Sequence, residues 1–153
     1  MANTELIDNL NKALALELAG AIQYQQHSFL VTGPEREVYR SFFRASSDEA
    51  HQHTIMLGDK IVALGGVPTV EPAMIRQATA LTDMLRQDLE LEREAMAVYL
   101  QAHAACTDAD RPTQFQLEER IAEEQDHIEE LEKMTSERTA NVTQEKITLR
   151  QVG

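Results

Sequence analysis

The sequence predicts an all-α protein, a four-helix bundle with a long crossover between its second and third helices. Four stretches of roughly 25 residues place apolar side chains at the three- and four-residue spacing of one helix face. Every Pro lies between these stretches or at the start of one, where Pro ends or begins helices. The middle connection, residues 66 to 80, is long for a tight hairpin and can cross the length of the bundle, which makes the second and third helices parallel.

Turn residues separate the first two helices. The first is predicted from residue 4 to about 31, with Thr4 as its N-cap, and Glu17 interrupts its apolar stripe. Gly33-Pro34 ends this helix and starts the second, which runs from about 35 to 64 and stops at a Gly-Gly-Val-Pro sequence. Because the connection is short, the two helices are expected to be antiparallel neighbours.

The second half of the chain repeats this plan. The third helix is predicted from about 81 to 106, where Glu92 interrupts the apolar line, and the fourth from about 112 to 137. These boundaries define a bundle domain, residues 1–137, and a C-terminal tail, residues 138–153. We expect the tail to be loosely ordered or docked on a neighbour.

Composition and charge exclude several classes of protein. The chain has 153 residues, 42% of them hydrophobic and 26% charged, which suits one globular domain. A net charge of -12 argues against a nucleic-acid partner, because a phosphate backbone needs a basic surface. The sequence shows neither a signal peptide nor an apolar run that approaches a membrane span, so no membrane partner is expected. The lone Cys106 is compatible with a reducing cytoplasm, where we expect the protein to act.

Glu124 and His127 form the most informative motif. They are three residues apart on the predicted fourth helix, so their side chains lie one turn apart on the same face. Glu124 is in line with the apolar residues Leu117, Ile121 and Ile128, which are expected to face the core. A carboxylate and an imidazole directed into a core are costly unless they are compensated, and a metal ion is the usual compensation.

An internal repeat supports this interpretation. A Leu-x-Leu-Glu sequence that ends at Glu17 recurs 75 residues later and ends at Glu92, and a tyrosine follows each Glu by seven residues, Tyr24 and Tyr99. A duplicated helix pair that closes around a pseudo-two-fold axis would bring five polar residues to one level of the core. These are Glu17, His53, Glu92, Glu124 and His127.

The second helix carries an imperfect copy of the motif. A dinuclear carboxylate site in a bundle takes one Glu from each of two helices and Glu-x-x-His from each of the other two. Ala50 stands three residues before His53, where the pattern requires Glu, and Glu49 stands four before it. The repeat relates Glu49 to Glu124 at a displacement of 75, but His53 to His127 at 74. Two accounts remain open. Glu49 is the sixth ligand, helped by a one-residue bulge, or it orients a histidine and leaves the site one carboxylate short.

The predicted donor set is rich in oxygen and contains two nitrogens, which suits iron or manganese. The candidate metal ligands are Glu17, Glu49, His53, Glu92, Glu124 and His127.

These motifs resemble the ferritin-like superfamily, and bacterioferritins most closely, over about residues 5 to 135. The matching segments are Leu16-Glu17-Leu18 with Gln23-Tyr24, His53 ahead of residues 65–68, residues 88–92 and residues 123–127. The resemblance implies a ferritin-like four-helix bundle that forms a homo-oligomeric cage. It implies a ferroxidase that binds two Fe(II) per subunit, oxidises them with oxygen or hydrogen peroxide, and stores the ferric product. Its site would consist of Glu17, His53, Glu92, Glu124 and His127, with Ala50 in place of the family's bridging Glu.

Two other functions compete with iron storage. One is a non-storage oxidase or peroxidase with two metals, and the other is an assembly protein whose metal site is incomplete. Bacterioferritins ligate haem with a Met, and the matching position here is His51, which argues against haem although histidine is itself a competent axial ligand.

The remaining histidines and the two tyrosines have simpler interpretations. For His27, His51 and His103 we expect a surface or interface position rather than metal ligation. For Tyr24 and Tyr99 we expect burial with a hydrogen-bond partner.

Overall fold

The computed structural model describes residues 2–135, and this part of the chain is helical as predicted. No helix in it is long and apolar enough to cross a membrane. The predicted end of the fourth helix, residues 136–137, and the predicted tail, residues 138–153, lie outside the described residues. The helices are α1 (Thr4–Leu30), α2 (Arg36–Ala63), α3 (Leu81–Ala105) and α4 (Arg111–Thr135), with a 3-10 turn (Asp108–Asp110) ahead of α4.

The start of α1 differs from the prediction, because the N-cap is Asn3 and not Thr4. The Asn3 side-chain oxygen accepts a hydrogen bond from the Leu6 N–H at 3.1 Å. Its amide donates to the Ala105 carbonyl and to the Asp110 carboxylate, each at 2.8 Å. Asn3 therefore caps α1 and also ties it to the end of α3.

Contacts between the helices confirm the crossover topology. Glu17 and Tyr24 on α1 contact Tyr99 and Glu92 on α3, respectively, so α1 and α3 are antiparallel. Gly33, at a φ of 102°, reverses the chain between α1 and α2, which are also antiparallel. The helices α2 and α3 are consequently parallel.

The crossover, residues 64–80, runs beside α1 without regular secondary structure. The Thr69 N–H donates to the Asn11 side-chain oxygen at 2.8 Å. Further along, the Arg76 N–H donates to the Gln23 side-chain oxygen at 3.0 Å. These side chains of α1 satisfy backbone groups that would otherwise lack partners.

The core consists of two apolar clusters with a polar layer between them. One cluster lies where α1 and α4 begin, and it contains Leu6, Leu10, Leu57, Ile61 and Leu117. The other lies towards the opposite end and contains Tyr24, Phe43, Met84, Ile128 and Leu131. The polar layer between them is the candidate functional site.

Candidate metal centre

Each of the four helices contributes a buried ionisable side chain to the polar layer. Glu17 comes from α1, His53 from α2, Glu92 from α3 and Glu124 from α4. Glu124 is the most buried of them, with 1% of its surface exposed. The fifth predicted residue, His127, lies one turn after Glu124 and is 28% exposed in its side chain. The structure thus brings together the five residues that the repeat predicts at one level of the core.

Two groups of potential metal ligands share Glu124. Glu17, His53 and Glu124 form one group, and Glu92, Glu124 and His127 form the other. Within each group every residue offers a ligand atom that lies within 4.8 Å of the others. Glu124 is thus common to two candidate ligand groups, one on the side of His53 and the other on the side of His127.

Two buried tyrosines hold the outer carboxylates. The Tyr24 hydroxyl donates to Glu92 Oε1 at 2.7 Å, and the Tyr99 hydroxyl donates to Glu17 Oε1 at 2.6 Å. Burial, followed by the nearby carboxylates, raises the pKa of both tyrosines well above its usual value, so both remain protonated donors. These pairs match the 75-residue repeat, and the prediction that both tyrosines are buried with partners is confirmed.

Glu124 and Glu92 form a closely coupled acid pair. Burial and then the charge of Glu92 raise the pKa of Glu124 well above its usual value, and burial also raises the pKa of Glu92. The two carboxyl groups share a hydrogen bond. The second oxygen of Glu124, Oε2, is buried and has no hydrogen-bond partner. A buried acceptor of this kind is costly, and a cation would stabilise it.

Each histidine of the site contacts two carboxylates. His53 Nδ1 lies 3.1 Å from Glu17 Oε1, and its Nε2 lies 3.0 Å from Glu123 Oε2. Burial alone would lower the pKa of His53, but the hydrogen bond and the charge of Glu17 outweigh it and the pKa is raised. His127 Nε2 lies 3.0 Å from Glu49 Oε2, and its Nδ1 lies 4.0 Å from Glu92 Oε1.

The predicted sixth residue, Glu49, lies at the edge of the layer. It contacts His127 on the facing helix and is 40% exposed in its side chain. The helix α2 is continuous from Arg36 to Ala63, so the bulge that would turn Glu49 inward is absent. Ala50 is buried at the position where the pattern requires a carboxylate.

Glu123 was not predicted, although a signal for it exists. It precedes His127 by four residues, as Glu49 precedes His53, and both pairs are related by the 74-residue displacement. Together with Glu49 and His53 it forms a third group whose ligand atoms lie within 4.8 Å of one another.

The surface or interface position predicted for His27 is wrong. His27 is fully buried, and its Nδ1 lies 3.0 Å from Asp88 Oδ2. The other oxygen of Asp88 accepts a hydrogen bond from Gln23 at 2.8 Å. Burial raises the pKa of Asp88, although the hydrogen bonds from His27 and Gln23 oppose this. The pattern contained a signal here too, because Asp88 is one helical turn from Glu92 on the same face. The other two histidines lie outside the layer, His51 exposed and His103 beside Glu118.

A cavity of about 210 Å³ adjoins the layer on the side of His127. Its walls include Tyr24, Phe42, Glu49, His127, Glu130 and Leu131. A small molecule in this cavity would lie directly beside a site histidine and a site tyrosine.

The fold and the layer define a class of protein, the helix bundles whose facing helices direct carboxylates and Glu-x-x-His motifs inward to bind metals. Comparison with known families gives the same result and names the family. The chain matches the Ferritin family, described as "Ferritin-like domain", over residues 7–139, and it belongs to this family.

Relatives and solved structures agree with this assignment. The chain is 32% identical over 132 residues to a bacterioferritin of Brucella melitensis biotype 1, covering 84% of this chain and 81% of that one. It is 29% identical over 126 residues to the "Nutrient stress-induced DNA-binding protein" of a Synechococcus species, covering 75% and 72%. A crystal structure of "ferritin like, diiron-carboxylate proteins" from Bacillus anthracis superposes with a TM-score of 0.84 at 31% identity and covers 88% of this chain and 97% of that one. Family membership supports a broad role in iron storage.

Proposed function

We propose that this protein is a ferroxidase that binds two Fe(II) per subunit, oxidises them and stores the ferric product in a homo-oligomeric cage. The observation that carries the proposal is Glu124. It is almost completely buried, it belongs to two ligand groups at once, and one of its oxygens has no hydrogen-bond partner. A carboxylate in this position is costly in a bundle without metal, and two cations would compensate it from both sides.

The candidate ligands form two sets, one for each ion. Glu17 and His53 would bind the first ion, Glu92 and His127 the second, and Glu124 would bridge them. Tyr99 and Tyr24 hold one oxygen each of Glu17 and Glu92, which orients these carboxylates for the ions. Two Fe(II) ions bound there would supply two electrons, and solvent two protons, to reduce oxygen to hydrogen peroxide or hydrogen peroxide to water.

The choice of oxidant, the cage and the cytoplasmic location are proposed from family membership and from the sequence. The distant relative whose name refers to DNA binding raises a second possibility, that this chain binds DNA. The net charge of -12 does not favour it, and residues 1 to 12 contain a single basic residue, Lys12. We therefore expect no nucleic-acid partner.

Iron oxidation tests the proposal. Aerobic addition of Fe(II) should produce the amber ferric product faster with the protein than without it, and Glu124→Ala should abolish this acceleration. An unchanged rate in Glu124→Ala would refute the site. An exposed glutamate on the same helix supplies the matched control, Glu129→Ala, which should oxidise iron at the wild-type rate.

Iron retention separates storage from the competing functions. A cage that stores iron should elute as a large assembly in gel filtration and retain many iron atoms per chain. Retention limited to about two per chain would instead indicate a non-storage oxidase or peroxidase. Stoichiometric metal binding that raises the melting temperature without redox turnover would indicate an assembly protein.

A further inference from the structure

The helices α2 and α4 repeat one another around the layer, but the two copies differ at one position. Glu49 on α2 corresponds to Glu123 on α4 at the displacement of 74. Three residues earlier, α2 carries Ser46 and α4 carries Arg120, which also correspond at 74. One side of the layer therefore has a small side chain where the other side has a long cation.

The side with the small residue is the more exposed one. Ala45 and Ser46 are among the walls of the cavity of about 210 Å³, together with His127. The side chain of His127 is 28% exposed. This histidine is therefore accessible from outside the bundle on the side of the cavity.

Arg120 occupies the equivalent position on the side of His53. Its side chain is only 20% exposed, so most of it is packed within the protein. Its guanidinium contacts Glu123 Oε1 at 3.0 Å, and Glu123 Oε2 lies 3.0 Å from His53 Nε2. A second contact, with the exposed Glu119, is longer at 3.8 Å. The side chain of His53 is only 4% exposed, so the side that carries the arginine is the closed one.

The acids at the two edges of the layer also differ in their partners. Arg120 compensates the charge of Glu123. Within the part of the chain that the structure describes, no Lys or Arg contacts Glu49. Glu130, which also lines the cavity, pairs with Lys133 at 2.8 Å, so Glu49 is the acid that remains uncompensated there. An uncompensated negative charge in a cleft attracts cations and raises their rate of binding.

We infer that Arg120 closes the approach to His53, so that divalent cations enter the layer through the cavity beside His127 and fill the His127 side first. An ion that binds at His53 then has to pass Glu124, the carboxylate that both ligand groups contain. The two ion positions are therefore unequal in access, although the repeat gives each of them one histidine and one glutamate of its own. The inference rests on the proposed function for its metal but not for its geometry.

Anaerobic stopped-flow mixing with Co(II), followed by the visible absorption of the bound ion, tests the route in the full-length protein. The wild type should bind one ion in a fast phase and a second ion in a slower phase. Ser46→Arg places a cation in the cavity and should slow the fast phase by about 10-fold or more. Arg120→Ser opens the second approach and should accelerate the slow phase by about 10-fold or more. Arg93→Ser, at an arginine of α3 that is 55% exposed, is the control and should change neither phase.

Crystals soaked briefly in Co(II) and frozen before binding is complete show the order of filling. The wild type should give its stronger anomalous peak beside Glu92 and His127. The double variant that combines Ser46→Arg with Arg120→Ser exchanges the two residues, so its stronger peak should lie beside Glu17 and His53 instead.

Chemical modification of the histidines tests the closure without metal. Diethyl pyrocarbonate is uncharged and reacts with neutral imidazole, and mass spectrometry of the peptides resolves each histidine. At mildly alkaline pH, His127 should react faster than His53. Arg120→Ser should accelerate the reaction of His53, whereas Arg120→Met, which keeps most of the bulk without the charge, should leave His53 protected. The buried His27 reports on folding, because it should stay unreactive in every variant that keeps the bundle.

Three results would overturn the inference. The first is a wild type that fills the His53 side first, or whose two site histidines react at equal rates. The second is an Arg120→Ser protein in which His53 stays protected and the slow phase is unchanged. The third is an Arg120→Met protein that exposes His53 as fully as Arg120→Ser does. If the wild type bound no Co(II), the proposed function would fail, and the modification rates would still decide whether Arg120 closes this approach.

Discussion

Substitution of Glu124 by Gln should stabilise the metal-free protein and weaken its response to metal. Glutamine has the shape of the protonated glutamic acid, and its amide can donate to Glu92 as the protonated carboxyl does. The substitution thus removes a charge that is costly without metal, at a position with 1% exposure, and leaves the packing unchanged.

The raised pKa of Glu124 determines how the effect depends on pH. Near pH 4.5, the usual value for Glu, the side chain is largely protonated in the folded state, and the variant and the wild type should have nearly equal stability. As the pH rises towards the folded pKa, the unfolded chain releases a proton that the folded chain retains, so the wild type loses stability. The variant lacks this contribution and should lose less, although Glu92 still contributes a slope of the same sign.

The size of the stability difference between Glu124→Gln and the wild type follows from the burial of the Glu124 carboxyl group. Each unit by which the folded pKa exceeds the unfolded pKa costs about 1.4 kcal/mol above the folded pKa. Leaving a buried polar group without a partner costs about 1–3 kcal/mol, and more if it is charged; glutamine keeps an oxygen at the unpartnered position, so the substitution removes only the penalty of the charge. We therefore expect the variant to be more stable by about 1–3 kcal/mol at neutral to alkaline pH, a rise in Tm of about 3–10 °C for a chain of this length.

Thermal unfolding at constant protein concentration measures this effect with and without Co(II). Metal at 100 times its Kd stabilises a protein by about 2.7 kcal/mol, and the variant should gain much less because both ligand groups lose a member. The order of stability should therefore reverse when metal is added. Glu129→Gln, a change at an exposed carboxylate of α4, should alter neither Tm. A Glu124→Gln protein that melts below the wild type without metal, or gains as much from Co(II), would refute the reasoning.

Three further substitutions test other parts of the structure. Ala50→Glu supplies the missing carboxylate and should lower the metal-free Tm by roughly 3–10 °C while it tightens Co(II) binding. Unchanged Co(II) binding would show that position 50 does not face the ions. Tyr99→Phe removes the donor to Glu17 and should cost about 1.5–3 kcal/mol in urea unfolding of the metal-free protein, whereas an unchanged midpoint would mean that the bond contributes nothing. Asp88→Ala leaves His27 buried without its partner and should lower the free energy of unfolding by about 3–5 kcal/mol, with faster hydrogen exchange in the crossover. A variant as stable as the wild type, with slow exchange, would contradict the role of Asp88 as the partner of His27.

The helices could be predicted closely from the sequence because their signals are local. Apolar periodicity and the turn residues around Gly33 and Gly65 placed the boundaries of α1, α2 and α3 within about one residue of the observed ones. The N-cap was wrong because Asn3 is selected by partners near residues 105 and 110, which a local pattern does not contain.

The buried part of the site was predictable for a related reason. A Glu in the centre of an apolar stripe must face the core if the helix is to bury that stripe, and this holds for Glu17, Glu92 and Glu124. The edge of the site was not predictable in the same way. The acidic residues of the repeat match at a displacement of 75 residues, which relates Glu49 to the buried Glu124. The histidine contacts instead follow a displacement of 74 residues, which relates Glu49 to Glu123.

The contact between His27 and Asp88 is a long-range pairing that a local sequence pattern does not contain. The spacing of Asp88 one turn before Glu92 indicates that Asp88 faces the core, but no local pattern indicates that its partner is His27, 61 residues away. A single histidine is therefore easily assigned to the surface, and only the antiparallel packing of α1 on α3 brings the two side chains together.

A crystal structure of the protein soaked anaerobically in Fe(II), with anomalous data collected at the iron edge, tests the central claim most directly. We predict two peaks within coordination distance of Glu124, one bound by Glu17 and His53 and the other by Glu92 and His127. Iron bound elsewhere, or a Glu124 carboxylate that contacts no ion in the loaded crystal, would contradict the claim.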